Sequence, residues 1–321
     1  MTYHVLVADN VDKAALEVLT GAEGFVVTAG GQLTREQVIA ALPQADALVI
    51  RSATTADADL LGYAQRLKVI ARAGVGVDNV DLATATEKGI VVMNTPDGNT
   101  ISTAEFTLGL MLSLARFIPN GFEDMKHGKW DRKTWVGIEL RGKTLGVVGF
   151  GRIGRAVAKR ALAFDMNVLA YDPYIPSDIA ADLGVTLVDL DTLYANADFI
   201  TLHSVITDET REMINPDSIA KMKRGVRIIN AARGALINDE ALAEALKSGQ
   251  VAGAALDVYQ KEPPPEQHPL VGLRGVIHTP HLAASTTDAQ INVGVDAARL
   301  VVNALLNGQY ENVCNPAVLA R

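Results

Sequence analysis

The stretch Thr144-Leu145-Gly146-Val147-Val148-Gly149-Phe150-Gly151-Arg152-Ile153-Gly154-Arg155 constrains this chain more than any other. An apolar run of strand character ends on three glycines at G-x-G-x-x-G spacing, and Ala156–Leu162 behind them reads as a helix. A second strand, Asn167–Tyr171, follows and ends on Asp172. Each glycine has a mechanical task. Gly149 permits the tight turn, Gly151 lets a pyrophosphate approach the backbone, and Gly154 lets helix and strand pack closely. The helix N-terminus adds unpaired N–H groups and a positive dipole end. Asp172 lies about twenty residues on, where an acid accepts hydrogen bonds from a ribose. Glycines alone also mark ordinary turns. It is the order of strand, glycines, helix, strand and acid that points to a dinucleotide. A 2′-phosphate would meet the Asp172 carboxylate, and Pro173 and Tyr174 stand where Lys or Arg would offset it, so the expected cofactor is NAD.

A chain of 321 residues is long for one domain and comfortable for two, and with 49% apolar residues it can bury a sizeable core. Its net charge of −8, without a basic run, argues against a nucleic-acid surface. An anionic ligand would need cationic groups gathered locally. The single cysteine, Cys314, excludes a disulfide framework, and no His/Cys cluster has metal-ligand spacing, so no metal is expected. The first residues, Met1-Thr2-Tyr3-His4-Val5-Leu6-Val7, read as a strand rather than a signal peptide, and no stretch approaches membrane-spanning length. A cytoplasmic location without membrane partners is the expectation.

Residues 1–96 alternate apolar runs (4–8, 24–28, 47–51, 67–71, 90–94) with helical periods, one opened by the capping-box spacing Thr34-Arg35-Glu36-Gln37. Six more strand candidates follow at 144–150, 168–172, 199–204, 226–231, 254–258 and 276–279. This rhythm predicts an α/β chain with two Rossmann-like, doubly wound parallel-sheet domains and a cleft between them. The expected division is 1–97 with 287–321, returned by a last helix near 288–306, and 98–286. A long helix, apolar nearly all round, runs from Ser102-Thr103-Ala104-Glu105, read as a second capping box, to about Arg116. The arm Lys126–Gly142, with Trp130 and Trp135, reads either as solvated surface or as a subunit contact.

On parallel sheets, ligands sit beyond the strands' carboxyl ends. Three such ends in the first half carry Arg51-Ser52-Ala53-Thr54, Arg72-Ala73-Gly74-Val75-Gly76-Val77-Asp78 and Asn94-Thr95-Pro96-Asp97-Gly98-Asn99. Taken singly, these also satisfy ordinary turn chemistry. In the second half, Asn230-Ala231-Ala232-Arg233-Gly234 places an arginine past a buried strand, Glu262 precedes Pro263-Pro264-Pro265 beyond the strand holding Asp257, and His281 follows Thr279-Pro280. The carboxyl ends of one sheet share an edge, so Arg233, Glu262 and His281 are expected to meet there. His127, His268 and His278 are read as structural.

With these motifs in place, the chain from Val5 to about Pro316 resembles the D-isomer-specific 2-hydroxyacid dehydrogenases. The resemblance implies an NAD-dependent oxidoreductase in which Arg233 forks onto the substrate carboxylate, His281 exchanges the hydroxyl proton, and Glu262 holds the imidazole. It puts Arg152 and Ile153 at the pyrophosphate turn and Asp257 at the nicotinamide carboxamide. His203, Ser204 and Ala231 fall on the adenine and ribose side, with Ala232, Ala283, Ala284 and Val75 also on the cofactor side. Arg51, Ser52, Arg72, Asn99 and the Gly74-Val75-Gly76 backbone would hold a carboxylate and a phosphate. The Arg51–Thr54 and Asn94–Asn99 stretches narrow the expected substrate to 3-phospho-D-glycerate, oxidised to 3-phosphohydroxypyruvate on the way to serine. Asp97 departs from that pattern, because a carboxylate there must turn from the phosphate or weaken its binding. The chain also stops where many members acting on this substrate continue into regulatory domains, so a short form or catalytic fragment is expected. A homodimer through residues 102–140, with Arg132 reaching the partner's site, is implied too. A hydroxypyruvate or glyoxylate reductase on the same scaffold is the alternative, and a nucleotide-sensing binding protein the rival from another class.

Overall fold

A computed structural model describes residues 2–320. The chain divides into two compact units, Met1–Asn99 with Ser285–Arg321, and Thr100–Ala284. In the first unit the strands are β1 (Tyr3–Val7), β2 (Phe25–Ala29), β3 (Ala47–Ile50), β4 (Val69–Arg72) and β5 (Val91–Asn94). They form one sheet in the order β2-β1-β3-β4-β5, parallel throughout. That is the flavodoxin-like doubly wound order. β3 is buried along its whole length, as a strand covered by helices on both faces must be. The helix Thr287–Asn307 supplies part of that cover, burying Val293, Ala297, Val301 and Ala304 in a cluster with Val5, Val49 and Val69.

The second unit holds β6 (Thr144–Val148), β7 (Asn167–Tyr171), β8 (Thr186–Leu187), β9 (Phe199–Leu202), β10 (Val226–Asn230), β11 (Val251–Leu256) and β12 (Val276–His278). Their order is β12-β11-β10-β9-β6-β7-β8, all parallel. Counted from β6 this is the 3-2-1-4-5-6 Rossmann order with a seventh strand at the far edge. The order reverses between β6 and β9, so the glycine-rich turn after β6 stands at the switch point. The Rossmann-like expectation holds for both sheets. Six strands were expected here and seven form. The extra one, β8, is two residues long and carries no periodic signal.

Two helix readings need correction. The long helix spans Thr100–Arg116, so Ser102 lies inside its first turn and cannot be its N-cap. It is buried in the second unit's core through Ala104, Leu108, Met111 and Leu114, beside Leu145 and Val147 of β6. A further helix, Ile118–Lys126, follows the left-handed residue Phe117 (φ 54°), where the sequence pattern predicts none. Among the described residues, no single helix is long and apolar enough to cross a membrane. The Thr34 capping box forms as expected, with Gln37 N donating to Thr34 Oγ1 and Thr34 N to Gln37 Oε1.

The C-terminal stretch is tied to the first sheet by one buried side chain. Asn315, 5% exposed, accepts from Val92 N at 2.9 Å and donates to Ile90 O at 2.9 Å and Thr86 Oγ1 at 3.0 Å. Replacing it by Ala strands a buried N–H and a carbonyl. Asn315→Ala is expected to cost about 2–3 kcal/mol and lower the melting temperature by several degrees in calorimetry.

Candidate active site

The glycines behave as their spacing requires. Gly149 has φ 91°, and a Cβ there would lie 2.7–2.8 Å from the main chain of His203 and Ser204 at the end of β9. A Cβ on Gly154 would sit 2.1 Å from the Gly149 carbonyl oxygen, so the helix closes onto its own turn only through glycine. Gly151 faces open space, with nothing within 4 Å of where a Cβ would be. That open face fronts the N-terminus of the helix Arg152–Ala163, where free N–H groups and the dipole favour an anion. Arg152 is exposed and Ile153 half-buried in that first turn. Asp172 ends β7, and its carboxylate accepts from Phe150 N at 2.8 Å and Tyr174 N at 2.9 Å. The acid is thus fixed against the glycine turn itself. This cradle fits a dinucleotide pyrophosphate and ribose.

His203 follows β9. Its Nε2 lies 2.9 Å from Thr201 Oγ1, while its Nδ1 is buried without a partner among the described residues. Burial, which penalises the imidazolium, pushes its pKa down to about 4. Ser204 is half-buried beside it.

The other candidates of this unit gather where β10, β11 and β12 end. Asn230, Leu256 and His278 are paired across the three strands. The ladder continues beyond them, with Asp257 N donating to Asn230 O at 2.9 Å, Thr279 N to Leu256 O at 3.0 Å and His281 N to Asp257 O at 2.8 Å. Arg233 and His281 therefore extend from strands separated only by β11, about 10 Å apart along the sheet edge. The Arg233 turn is set by Asn230, whose amide donates to Arg233 O at 2.8 Å and accepts from Ala232 N at 3.1 Å. Gly234 presses on the next loop: a Cβ there would lie 1.9 Å from the Tyr259 carbonyl carbon. Ala231 is buried, and Ala232 and Arg233 are half-buried.

His281 Nδ1 lies 2.7 Å from Glu262 Oε2, and both side chains are exposed to solvent. Glu262 Oε1 accepts from Tyr259 N at 3.1 Å, so the carboxylate is held from behind while it holds the ring. With its Nδ1 occupied, His281 has Nε2 left for proton exchange. His281 has φ 56°, a left-handed conformation that costs a non-glycine residue of order 1 kcal/mol and persists only where surroundings impose it. Asp257 imposes it. Its wholly buried carboxylate accepts from Thr279 Oγ1 at 2.6 Å, Leu282 N at 2.8 Å and Ala283 N at 2.8 Å. Asp257, which the resemblance puts at the nicotinamide carboxamide, also anchors the loop carrying His281, Ala283 and Ala284. Sequence reading also missed Tyr259. Its ring meets His268 edge-on and stacks with His278, its hydroxyl lies 3.0 Å from His278 Nδ1, and its amide serves Glu262.

In the first unit a parallel arrangement recurs. Ile50, Arg72 and Asn94 are paired across β3, β4 and β5, so the Arg51, Gly74–Gly76 and Asn99 segments leave from neighbouring strand ends. Gly74 (φ 146°) has the Arg72 guanidinium 1.5 Å from where its Cβ would be, so a side chain there would push the end of that arginine aside and strain the backbone. Thr95 Oγ1 accepts from Gly74 N at 2.7 Å, and Asn94 Nδ2 donates to the Val75 carbonyl. Asn99 Oδ1 is buried without a partner among the described residues. Ser52 and Asp97 are exposed, and Arg51 and Gly76 half-buried. Arg132 is exposed in the segment between the helix Ile118–Lys126 and β6.

Residues 108–283 match the family model described as D-isomer specific 2-hydroxyacid dehydrogenase, NAD binding domain. The chain is 50% identical over 311 residues to the D-3-phosphoglycerate dehydrogenase of Archaeoglobus fulgidus, covering 97% of this chain and 59% of that one. It is 48% identical over 305 residues to the hydroxypyruvate reductase of Thermotoga maritima, covering 94% of this chain and 98% of that one. Among solved structures, the TT0316 protein from Thermus thermophilus superimposes with a TM-score of 0.86 at 37% identity, covering 97% of this chain and 99% of that one. The chain thus spans about three fifths of the length of the first phosphoglycerate dehydrogenases it matches.

The low pKa of His203 predicts a pH dependence of stability. Between its ordinary value of 6.5 and about 4, the unfolded chain takes up a proton that the folded chain refuses, so stability falls as pH falls through that window. In nucleotide-free protein, His203→Gln should remove about 2–3 kcal/mol of that acid loss, seen as a flatter urea-midpoint profile from pH 6.5 to 4.

Proposed function

The chain belongs to the D-isomer specific 2-hydroxyacid dehydrogenase family, and from that premise we propose that it oxidises 3-phospho-D-glycerate to 3-phosphohydroxypyruvate with NAD, a step towards serine. The observation that carries the reading is the His281–Glu262 pair at 2.7 Å, on the same sheet edge as the Arg233 turn, with β11 alone between the strands that lead to His281 and Arg233. The name of the Archaeoglobus relative supports the substrate.

The chemistry follows from these groups. NAD, when bound, supplies the hydride acceptor, with its pyrophosphate at Gly149, Gly151 and Gly154 and a ribose at Asp172. Arg233 takes the substrate carboxylate in a charge-assisted pair worth roughly 1.5–3 kcal/mol per bond. Its planar fork fixes C2 in a way an ammonium cannot. His281 accepts the C2 hydroxyl proton at Nε2 as C2 gives up its hydride, and returns that proton in the reverse direction. Glu262 fixes the tautomer by taking Nδ1–H and favours the imidazolium that forms. Arg51 and Arg72 receive the phosphate, as the charge-gathering site an acidic protein needs for an anion.

Hydroxypyruvate reduction is the second reading, favoured by the Thermotoga relative, which this chain matches over nearly its whole length. We also propose a cytoplasmic homodimer. Ile118, Phe122, Met125, Trp130 and Val136 expose their apolar side chains within a short stretch, the pattern a subunit contact covers.

A substrate panel read by reduced-cofactor absorbance tests the proposal. NAD should exceed NADP, and kcat/KM for 3-phospho-D-glycerate should exceed that for D-glycerate by at least about tenfold. Arg51→Ala should cost the phosphorylated substrate about 10–100-fold more than the unphosphorylated one. Equal losses for both would refute the phosphate role and favour the reductase.

A further inference from the structure

Asp9 lies two residues beyond β1 and is 2% exposed. Its Oδ2 accepts from Arg51 N at 2.6 Å and Thr54 N at 3.1 Å, while Oδ1 accepts from the Thr54 hydroxyl and from Gln32 Nε2 at 3.0 Å. None of these donors is charged. A carboxylate buried without a cation is costly unless several donors converge on it, and here most of them belong to a single turn. From the other side, Asn79 Nδ2 donates to Arg51 O at 2.7 Å and to Thr54 O at 2.6 Å. The N–H and C=O groups at both ends of the Arg51–Thr54 turn are thereby fixed by two side chains from elsewhere in the sequence. The guanidinium is steered from the same place, because Arg51 Nη1 donates to the carbonyl of Asn10, next to Asp9. Turn chemistry alone leaves this conformation weakly specified, since Arg51–Thr54 carries no glycine or proline and Ser52 is its one strongly turn-favouring residue.

We propose that Asp9 is a positioning residue for phosphate recognition: its buried carboxylate templates the turn that aims Arg51, and so sets the KM for a phosphorylated substrate without entering the hydride step. The proposal rests on the reading of Arg51 as a phosphate ligand. Asp9→Asn keeps the volume but removes the charge and one of the two acceptor oxygens among which four donors, three of them from Arg51 and Thr54, are divided. In the full chain, Asp9→Asn should raise KM for 3-phospho-D-glycerate at least about tenfold. Its kcat, and both constants for D-glycerate, should stay within about threefold of wild type. Asp9→Asn/Arg51→Ala should be no worse than Arg51→Ala alone, because Asp9 acts through that arginine. Melting curves establish folding. Should Asp9→Asn not fold, Thr54→Val removes one donor and should raise the same KM selectively, with Thr54→Ser restoring it.

A folded Asp9→Asn or Thr54→Val with unchanged KM for the phosphorylated substrate overturns the proposal. So does an equal loss for both substrates, or additive effects in the double variant. If Arg51→Ala itself leaves that KM unchanged, the phosphate reading fails and takes this proposal with it. If Arg51→Ala raises it and Asp9→Asn does not, the positioning role alone is wrong.

Discussion

The main-chain ladder that crosses the ends of β10, β11 and β12 holds the proposed chemistry together. Because Asn230, Leu256 and His278 are level, segments far apart in sequence leave the sheet at one height. The bonds from Asp257 N to Asn230 O and from His281 N to Asp257 O carry the same register past the strands. A one-residue slip in a parallel strand would turn its side chains to the opposite face, so the packed core on both sides of the sheet protects this alignment. The site inherits the precision of the core. Loops alone could not supply it.

On that frame a few buried polar side chains finish the geometry, and they share a logic. Asn230 closes the Arg233 turn, Asp257 grips the His281 loop, and Asp9 with Asn79 fixes the Arg51 turn. Each satisfies main-chain groups that a turn would otherwise leave to water, and each is buried or half-buried. In a low-dielectric setting, such bonds are expensive to lose and therefore define one conformation. The left-handed backbone of His281 is the clearest consequence. Its cost is offset by the three bonds that Asp257 accepts from the surrounding loop.

This division explains what could be read from residues alone. The glycine turn was legible because every glycine has its own steric reason, and Gly149, Gly151 and Gly154 each show the predicted environment. The parallel sheets were legible because their strands are short apolar runs at regular spacing. Thr186–Leu187 was too short to show a period. The helix Ile118–Lys126 was missed although Ile118, Phe122 and Met125 stand at helical spacing, because Pro119 and Gly121 in so short a stretch read as breakers. Ser102 misled because a capping-box spacing also occurs inside a first turn. Tyr259, Asp9 and Asn79 escaped because a side chain serving a distant main-chain group leaves no periodic trace. The resemblance supplied the roles of Arg233, Glu262 and His281, and the register of the strands shows how one edge gathers them.

The most direct test follows hydride transfer itself. In a single turnover, enzyme saturated with NADH is mixed with 3-phosphohydroxypyruvate, and the loss of nicotinamide absorbance is recorded for wild type and His281→Asn. The account predicts that the variant binds NADH within about threefold of wild type yet transfers hydride about 10²–10⁴ times more slowly, for want of a proton donor at the carbonyl oxygen. Transfer at the wild-type rate by a folded, NADH-bound His281→Asn protein would contradict it.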